Sequence, residues 1–183
     1  MAQVHDATDS PSAWVLKWGV TAPVGGRVLD VACGQGRHAR WFASRGHAVD
    51  AVDRNAAALA ALSGVGNVVP LCLDLECDGS IWPYPDSREA YACVVVTNYL
   101  HRPLISTLLD TLGPGGILIY ETFALGNERF GRPSNPDFLL QPGELLELVR
   151  GRLFVRAYED LIVDVPRPAR VQRICAVHAT NAI

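Results

Sequence analysis

The chain has one lysine among its 16 basic residues, no Cys-x-x-Cys pair, and no apolar run near the ~18 residues that span a bilayer. Each absence removes a class of protein. Apolar stretches such as Tyr91–Val96 are strand-sized, so no membrane segment is predicted and no membrane partner is expected. The five cysteines (33, 72, 77, 93 and 175) are odd in number, and three lie inside apolar runs. They read as reduced thiols, not as a disulfide frame or a zinc site, and no metal ligand set is predicted. The net charge of −3 and a pI near 5.9 give no general electrostatic grip on nucleic acid or anionic lipid. The first ten residues, MAQVHDATDS, carry neither a basic nor an apolar leader region, so a cytoplasmic location is expected. What is present is core material: of 183 residues, 49% are hydrophobic and 19% charged. No repeat or long linker interrupts it. The expectation is a single domain over 1–183, with an N-terminal covering helix within 1–26 and a core over 27–183.

Short β-branched runs alternate with helix-like stretches. Ser10-Pro11 reads as a helix N-cap with proline at the first position, followed by Trp14, Val15 and Trp18 on one face. The predicted strands are 27–32, 47–52, 67–73, 92–97 and 117–122, the fourth (ACVVVT) apolar on both faces as in a covered parallel sheet. Helices are predicted over 36–45, after Asn55, near 103–112 and from about 142 to 149. Gly113-Pro114-Gly115-Gly116 reads as a turn, and 74–88, with Trp82-Pro83-Tyr84-Pro85, as a loop. Two final strands, 153–161 and 171–179, are joined too briefly for a crossover helix and are predicted antiparallel. The fold class is therefore α/β, a three-layer sandwich around a mostly parallel sheet.

Ligands of such sheets bind beyond the carboxyl ends of the strands. Strand one runs into Asp30-Val-Ala-Cys-Gly34-Gln-Gly36, strand two ends at Asp53 and strand three at Asp74. Asp53 follows Gly34 by 19 residues and Asp74 follows Asp53 by 21, one strand plus one helix each time. Three acids thus fall along one edge. The glycines permit a sharp turn and close backbone approach, and Asp53 is placed to accept from ribose hydroxyls. Gly34-x-Gly36-x-x-Ala39 also satisfies the dinucleotide fingerprint, which keeps an NAD(P)-dependent oxidoreductase as the rival reading. Charge separates the two. A pyrophosphate on the first glycine turn would be repelled by Asp30, whereas S-adenosylmethionine has no phosphate and presents an ammonium there.

The stretches VLDVACGQGRHA (28–39), AVDRN (51–55), LDLE (73–76), VVVTNYLHRPL (94–104) and LGPGGILIYETF (112–123) resemble the class I S-adenosylmethionine-dependent methyltransferases. The resemblance runs from about residue 27 to the end. It implies a seven-stranded sheet in the order 3-2-1-4-5-7-6 with strand seven antiparallel. It also implies Asp30, Gly34 and Gly36 at the methionine moiety, Asp53 at the ribose, Asp74 and Leu75 at the adenine, and Thr97 at the methionine end. Ala32 and Arg54, inside the same stretches, complete the expected cofactor-binding set. The chain departs from the family at Ala92, where an acid is common just before strand four, and in having no inserted lid domain.

Methyl transfer needs a nucleophile aligned with the methyl carbon, water excluded, and for some acceptors a base. His101 and Tyr99, after strand four, are the expected catalytic residues: an imidazole as a base or acceptor ligand, and a ring for cation–π cover or hydrogen bonding. Their alternatives are a helix-entry histidine and a core tyrosine. After strand five, residues 121–138 form a long polar segment with two arginines, the type of loop that carries function. Glu121, Arg129 and Arg132 are the expected substrate-binding residues, the arginines able to fork onto a carboxylate or phosphate. Residues 120–183 balance 8 basic against 8 acidic residues, so no nucleic acid partner is expected. The reading is methyl transfer from S-adenosylmethionine to a small molecule, its non-enzymatic rival a catalytically silent S-adenosylmethionine-binding protein.

Overall fold

The structure, a computed structural model, describes residues 10–77, 84 and 89–179. Among these, seven strands form one sheet: β1 (Val28–Val31), β2 (Val49–Asp53), β3 (Val68–Cys72), β4 (Tyr91–Thr97), β5 (Leu112–Phe123), β6 (Leu153–Val163) and β7 (Ala169–His178). Their order is 3-2-1-4-5-7-6, with β7 antiparallel to both neighbours and the remaining pairings parallel. Five helices accompany them: α1 (Ala13–Gly19), α2 (Arg37–Ser44), α3 (Ala56–Leu59), α4 (Arg102–Asp110) and α5 (Glu144–Val149).

Alternation along the strands makes two cores. Leu29, Val31, Val94, Val96 and Leu118 point to one face, under Ile105, Leu108 and Leu109 of α4 and Leu145 and Val149 of α5. Val28, Ala51, Cys93, Val95 and Ile117 point to the other, under Trp14 and Val15 of α1 and Ala39 and Phe42 of α2. A strand that is buried on both faces has no polar side to show, hence the unbroken apolar reading of β4.

Three expectations need correcting. The α1 N-cap is Ser12, not Ser10: its hydroxyl accepts from the amides of Trp14 and Val15. The Gly113–Gly116 turn lies inside β5, which starts at Leu112 opposite Tyr91. A Cβ on Gly113 or Gly116 would come within 2.7 Å of a backbone carbonyl at Glu89 or Tyr91, so glycine is needed there for contact between strands. The segment 124–140 is not without regular structure. It holds two 3-10 turns and closes on itself through a parallel bridge between Ala124 and Leu140. Within the predicted 74–88 loop, Trp82, Pro83 and Pro85 lie outside the described residues, as do positions 1–9 of the expected covering segment.

Helix α1 lies on the sheet face. The Trp14 indole donates to the Ile174 carbonyl at 3.1 Å, and the Arg173 guanidinium stacks on its ring at 4.8 Å. Its start touches α2, where the Ser12 amide donates to His38 Nε2. Burial drives the His38 imidazole down to about 3, so it stays neutral and able to accept.

Candidate functional site

The chain leaves β1 through a turn in which Ala32 (φ 52°), Gly34 (φ 57°) and Gly36 (φ 74°) all adopt the left-handed region. For Ala32 this conformation costs roughly 1–2 kcal/mol, strain of the sort that collects at binding sites. The two glycines do different work. A Cβ on Gly34 would meet nothing within 4 Å, so the space above its backbone is open. A Cβ on Gly36 would strike the Leu62 side chain at 2.4 Å, so Gly36 serves the packing behind α2.

The three acids end in different surroundings. The Asp53 carboxylate accepts from the Gly34 amide at 2.7 Å and from the Asn55 amide at 2.8 Å, one oxygen each. It thereby ties β2 to the glycine turn, and each oxygen keeps a lone pair for a further donor. Asp74 accepts from the Glu76 amide at 3.0 Å and lies 3.9 Å from Arg54. Asp30 is buried beneath the turn, accepting from the Ala39 amide of α2 at 3.0 Å. Burial raises its carboxyl to about 7; the Ala39 bond and Arg37 oppose the rise and Asp53 adds to it.

A cleft of about 110 Å³ opens over this edge, with Ala32, Asp53, Arg54, Asp74, Leu75 and Tyr99 among its walls. Asp30 is not in the wall. Its charge reaches the cleft only through the turn above it. Tyr99 lines the same cleft, its hydroxyl bonded to Glu76 and its carbonyl accepting from the buried Tyr120 hydroxyl at 2.9 Å. Burial and the Glu76 carboxylate hold the phenol above its ordinary value, so it keeps its proton near neutral pH. Thr97 is buried at the end of β4, beside Glu121 in register. His101 is half-buried at the entry to α4, without a side-chain capping bond.

The acceptor-side candidates are spread more widely. Glu121 is committed to Arg173 at 3.3 Å, which also pairs with Glu159. Arg129 and Arg132 are exposed on the segment beyond β5. That segment is anchored by the buried Asn127, which donates to the Pro133 carbonyl and accepts from the Arg170 amide. Sequence reasoning missed Glu76, Asn127 and Tyr120. Glu76 sits in the LDLE stretch, but nothing local pairs it with a tyrosine 23 residues on.

The arrangement fits a nucleoside donor without a phosphate. The open backbone at Gly34, the free lone pairs of Asp53 and a buried acid under the turn suit hydroxyls and an ammonium. A larger, wider depression of about 450 Å³, walled by Arg102, Asp137 and Glu144, shares no residue with this cleft.

Residues 28–116 match the methyltransferase-domain family model. No curated protein matches the sequence. Among solved structures, TehB from Haemophilus influenzae is similar with TM-score 0.71 and 19% identity over 90% of this chain, which spans 61% of that protein's length. An S-adenosylmethionine-dependent methyltransferase from Mesorhizobium loti is similar with TM-score 0.68 and 17% identity, over 91% of this chain and 98% of that one. Geranyl diphosphate C-methyltransferase from Streptomyces coelicolor, solved with Mg2+, geranyl diphosphate and S-adenosyl-L-homocysteine, is similar with TM-score 0.65 and 17% identity, over 91% and 80%. At such identities the likenesses establish the fold.

Proposed function

We propose, from this fold and from the methyltransferase-domain match over residues 28–116, that the chain is a class I S-adenosylmethionine-dependent methyltransferase that transfers a methyl group to a small-molecule acceptor by in-line displacement. One observation carries the reading. Ala32 of the left-handed turn and the carboxylates Asp53 and Asp74 line one cleft at the carboxyl edge of β1–β3, with Asp30 buried outside its wall. The strand order weighs against the dinucleotide rival, whose sheets run 3-2-1-4-5-6 without an antiparallel strand between the last two.

Asp53 would accept from the ribose hydroxyls while keeping its bonds to Gly34 and Asn55. Asp74 and Leu75 would meet the adenine, with Arg54 and Ala32 alongside, and Thr97 would border the methionine end. When bound, S-adenosylmethionine supplies an electrophilic methyl carbon on a sulfonium. The chain's own task is then positioning and exclusion of water. Tyr99, held at both ends by Glu76 and Tyr120, walls the cleft and fixes the path of the chain into α4. His101 would take a proton at a ring nitrogen from an acceptor that must lose one. Glu121, Arg129 and Arg132 would border the acceptor.

Calorimetric titration with S-adenosylhomocysteine tests the donor site. Asp53→Ala should bind about tenfold more weakly or worse, because charge-assisted bonds are lost. Unchanged affinity would remove Asp53 from the site, and no binding by the wild type would end the reading. Transfer of labelled methyl to a metabolite pool, and not to RNA or protein fractions, is the expected outcome of an acceptor screen.

A further inference from the structure

Two segments meet beyond the end of β5 and the start of β7. One is 124–140; the other is the 164–168 turn between β6 and β7, which the antiparallel course of β7 returns to the same edge. They are joined where Arg167 Nη2 donates to the Arg132 carbonyl at 3.3 Å and where Asn127 accepts from the Arg170 amide.

Several arginines elsewhere in the fold are held by carboxylates. Arg27 pairs with Asp50, Arg102 with Glu144, Arg152 with Asp110, Arg170 with Asp160, and Arg173 with Glu121 and Glu159. Arg129, Arg132 and Arg167 are exposed and, among the described residues, have no carboxylate partner. Among the described residues, no nearby acid forms an ion pair with them. Glu128 accepts from the Gly126 amide, Asp137 lies beside Arg102, and exposed Asp164 makes no described ion pair with them. The same two segments also expose Leu125, Phe130, Phe138 and Val165, apolar side chains whose remaining surface gains from being covered. Exposed guanidinium forks and partly exposed aromatic rings on the same two segments suit a ligand with one anionic end and an apolar body.

We infer that these two segments form the acceptor site, and that the acceptor is an amphipathic small molecule with a carboxylate or phosphate end held by Arg132, Arg167 and Arg129. The inference rests on the methyl-transfer reading for its location. β7 lies two strand spacings from β4, roughly 10 Å, within the span of such a molecule.

Calorimetry with octanoate, octyl phosphate and the neutral octyl glucoside tests it, with S-adenosylhomocysteine titrated in parallel. The wild type should bind one or both anions and not the neutral control, and the preferred anion identifies the headgroup. Arg132→Ala/Arg167→Ala should weaken anion binding by about tenfold or more, with S-adenosylhomocysteine affinity held within about twofold. Arg129→Gln, which removes no described bond from the loop, guards against misfolding of the double variant and should weaken the anions about threefold. Equal anion binding by wild type and variants, or none by the wild type, overturns the inference. So does arginine-dependent binding of phosphatidylglycerol vesicles or of an RNA oligonucleotide in place of the soluble anions. Anion binding that persists in a protein indifferent to S-adenosylhomocysteine would uphold the anion site and strike the methyl-transfer reading alone.

Discussion

The two halves of the carboxyl edge are built by different means. Over β1–β3 the acids are fixed by bonds to nearby backbone: Asp53 to the amides of Gly34 and Asn55, Asp74 to that of Glu76, Asp30 to that of Ala39. Over β4, β5 and β7 the polar groups are fixed by side chains reaching across the fold. Arg102 spans to the Asp137 and Leu139 carbonyls, Asn127 to Pro133 and Arg170, Tyr120 to Tyr99. The β1–β3 half is a set of side chains tied to backbone amides of the strand-end turns and of α2. The β4–β7 half is a set of ties between side chains and distant backbone, which is where, on the proposed function, differences in substrate can accumulate.

The sharpest test of that contrast is Gly34→Val. The left-handed backbone and the open space above it should make the substitution cost more than about a hundredfold in S-adenosylhomocysteine affinity, with a smaller loss of stability. Calorimetry beside thermal melting separates the two effects, and a binding loss no larger than the stability loss would deny the turn a ligand role. The converse variant is Asn127→Ala, which orphans a carbonyl and an amide under the acceptor segment. It should lower stability by about 2 kcal/mol while leaving S-adenosylhomocysteine affinity within about twofold, as read by chemical denaturation and calorimetry. A parallel fall in donor affinity would show the two halves to be coupled.

Asp30 gives the smallest and most specific effect. Its carboxyl, raised to about 7 by burial, is partly protonated at neutrality, and a cationic donor favours the charged form. Affinity for S-adenosylmethionine should therefore rise about tenfold between pH 6 and 8, and Asp30→Asn should flatten the profile. A flat wild-type profile would disconnect Asp30 from the donor. In the free protein, the raised value means that Asp30 contributes most to stability below its ordinary 3.8, and that contribution is lost as pH rises through about 7. His38 acts in the opposite sense. Pushed from 6.5 to about 3, its contribution is full above 6.5 and is lost as pH falls towards 3.

Legibility followed the same division. The antiparallel pairing of the last two strands, the Asn55 cap and the glycine turn were readable from residues close in sequence, whereas the strand order came from the resemblance to the class I methyltransferases. The Ser12 cap was misplaced by two residues because Ser10-Pro11 offers the same local signal, and only docking against His38 selects between them. Gly113–Gly116 read as a turn because glycine and proline break strands locally. The carbonyls of Glu89 and Tyr91, which require those glycines within β5, come from the start of β4 and the turn just before it.

By itself, the sequence determined the alternation of strands and helices, the acid at each of the first three strand ends and the left-handed turn between them. Hydrophobic periodicity and backbone sterics act over a few residues and leave their mark in the order of the chain. Only the tertiary structure decided that Gly34 faces open space while Gly36 faces Leu62, that Asp30 lies beneath the cleft, and that Arg167 joins Arg132. Those facts depend on burial and on contacts between residues far apart in sequence, which exist only once the sheet has brought its strands side by side.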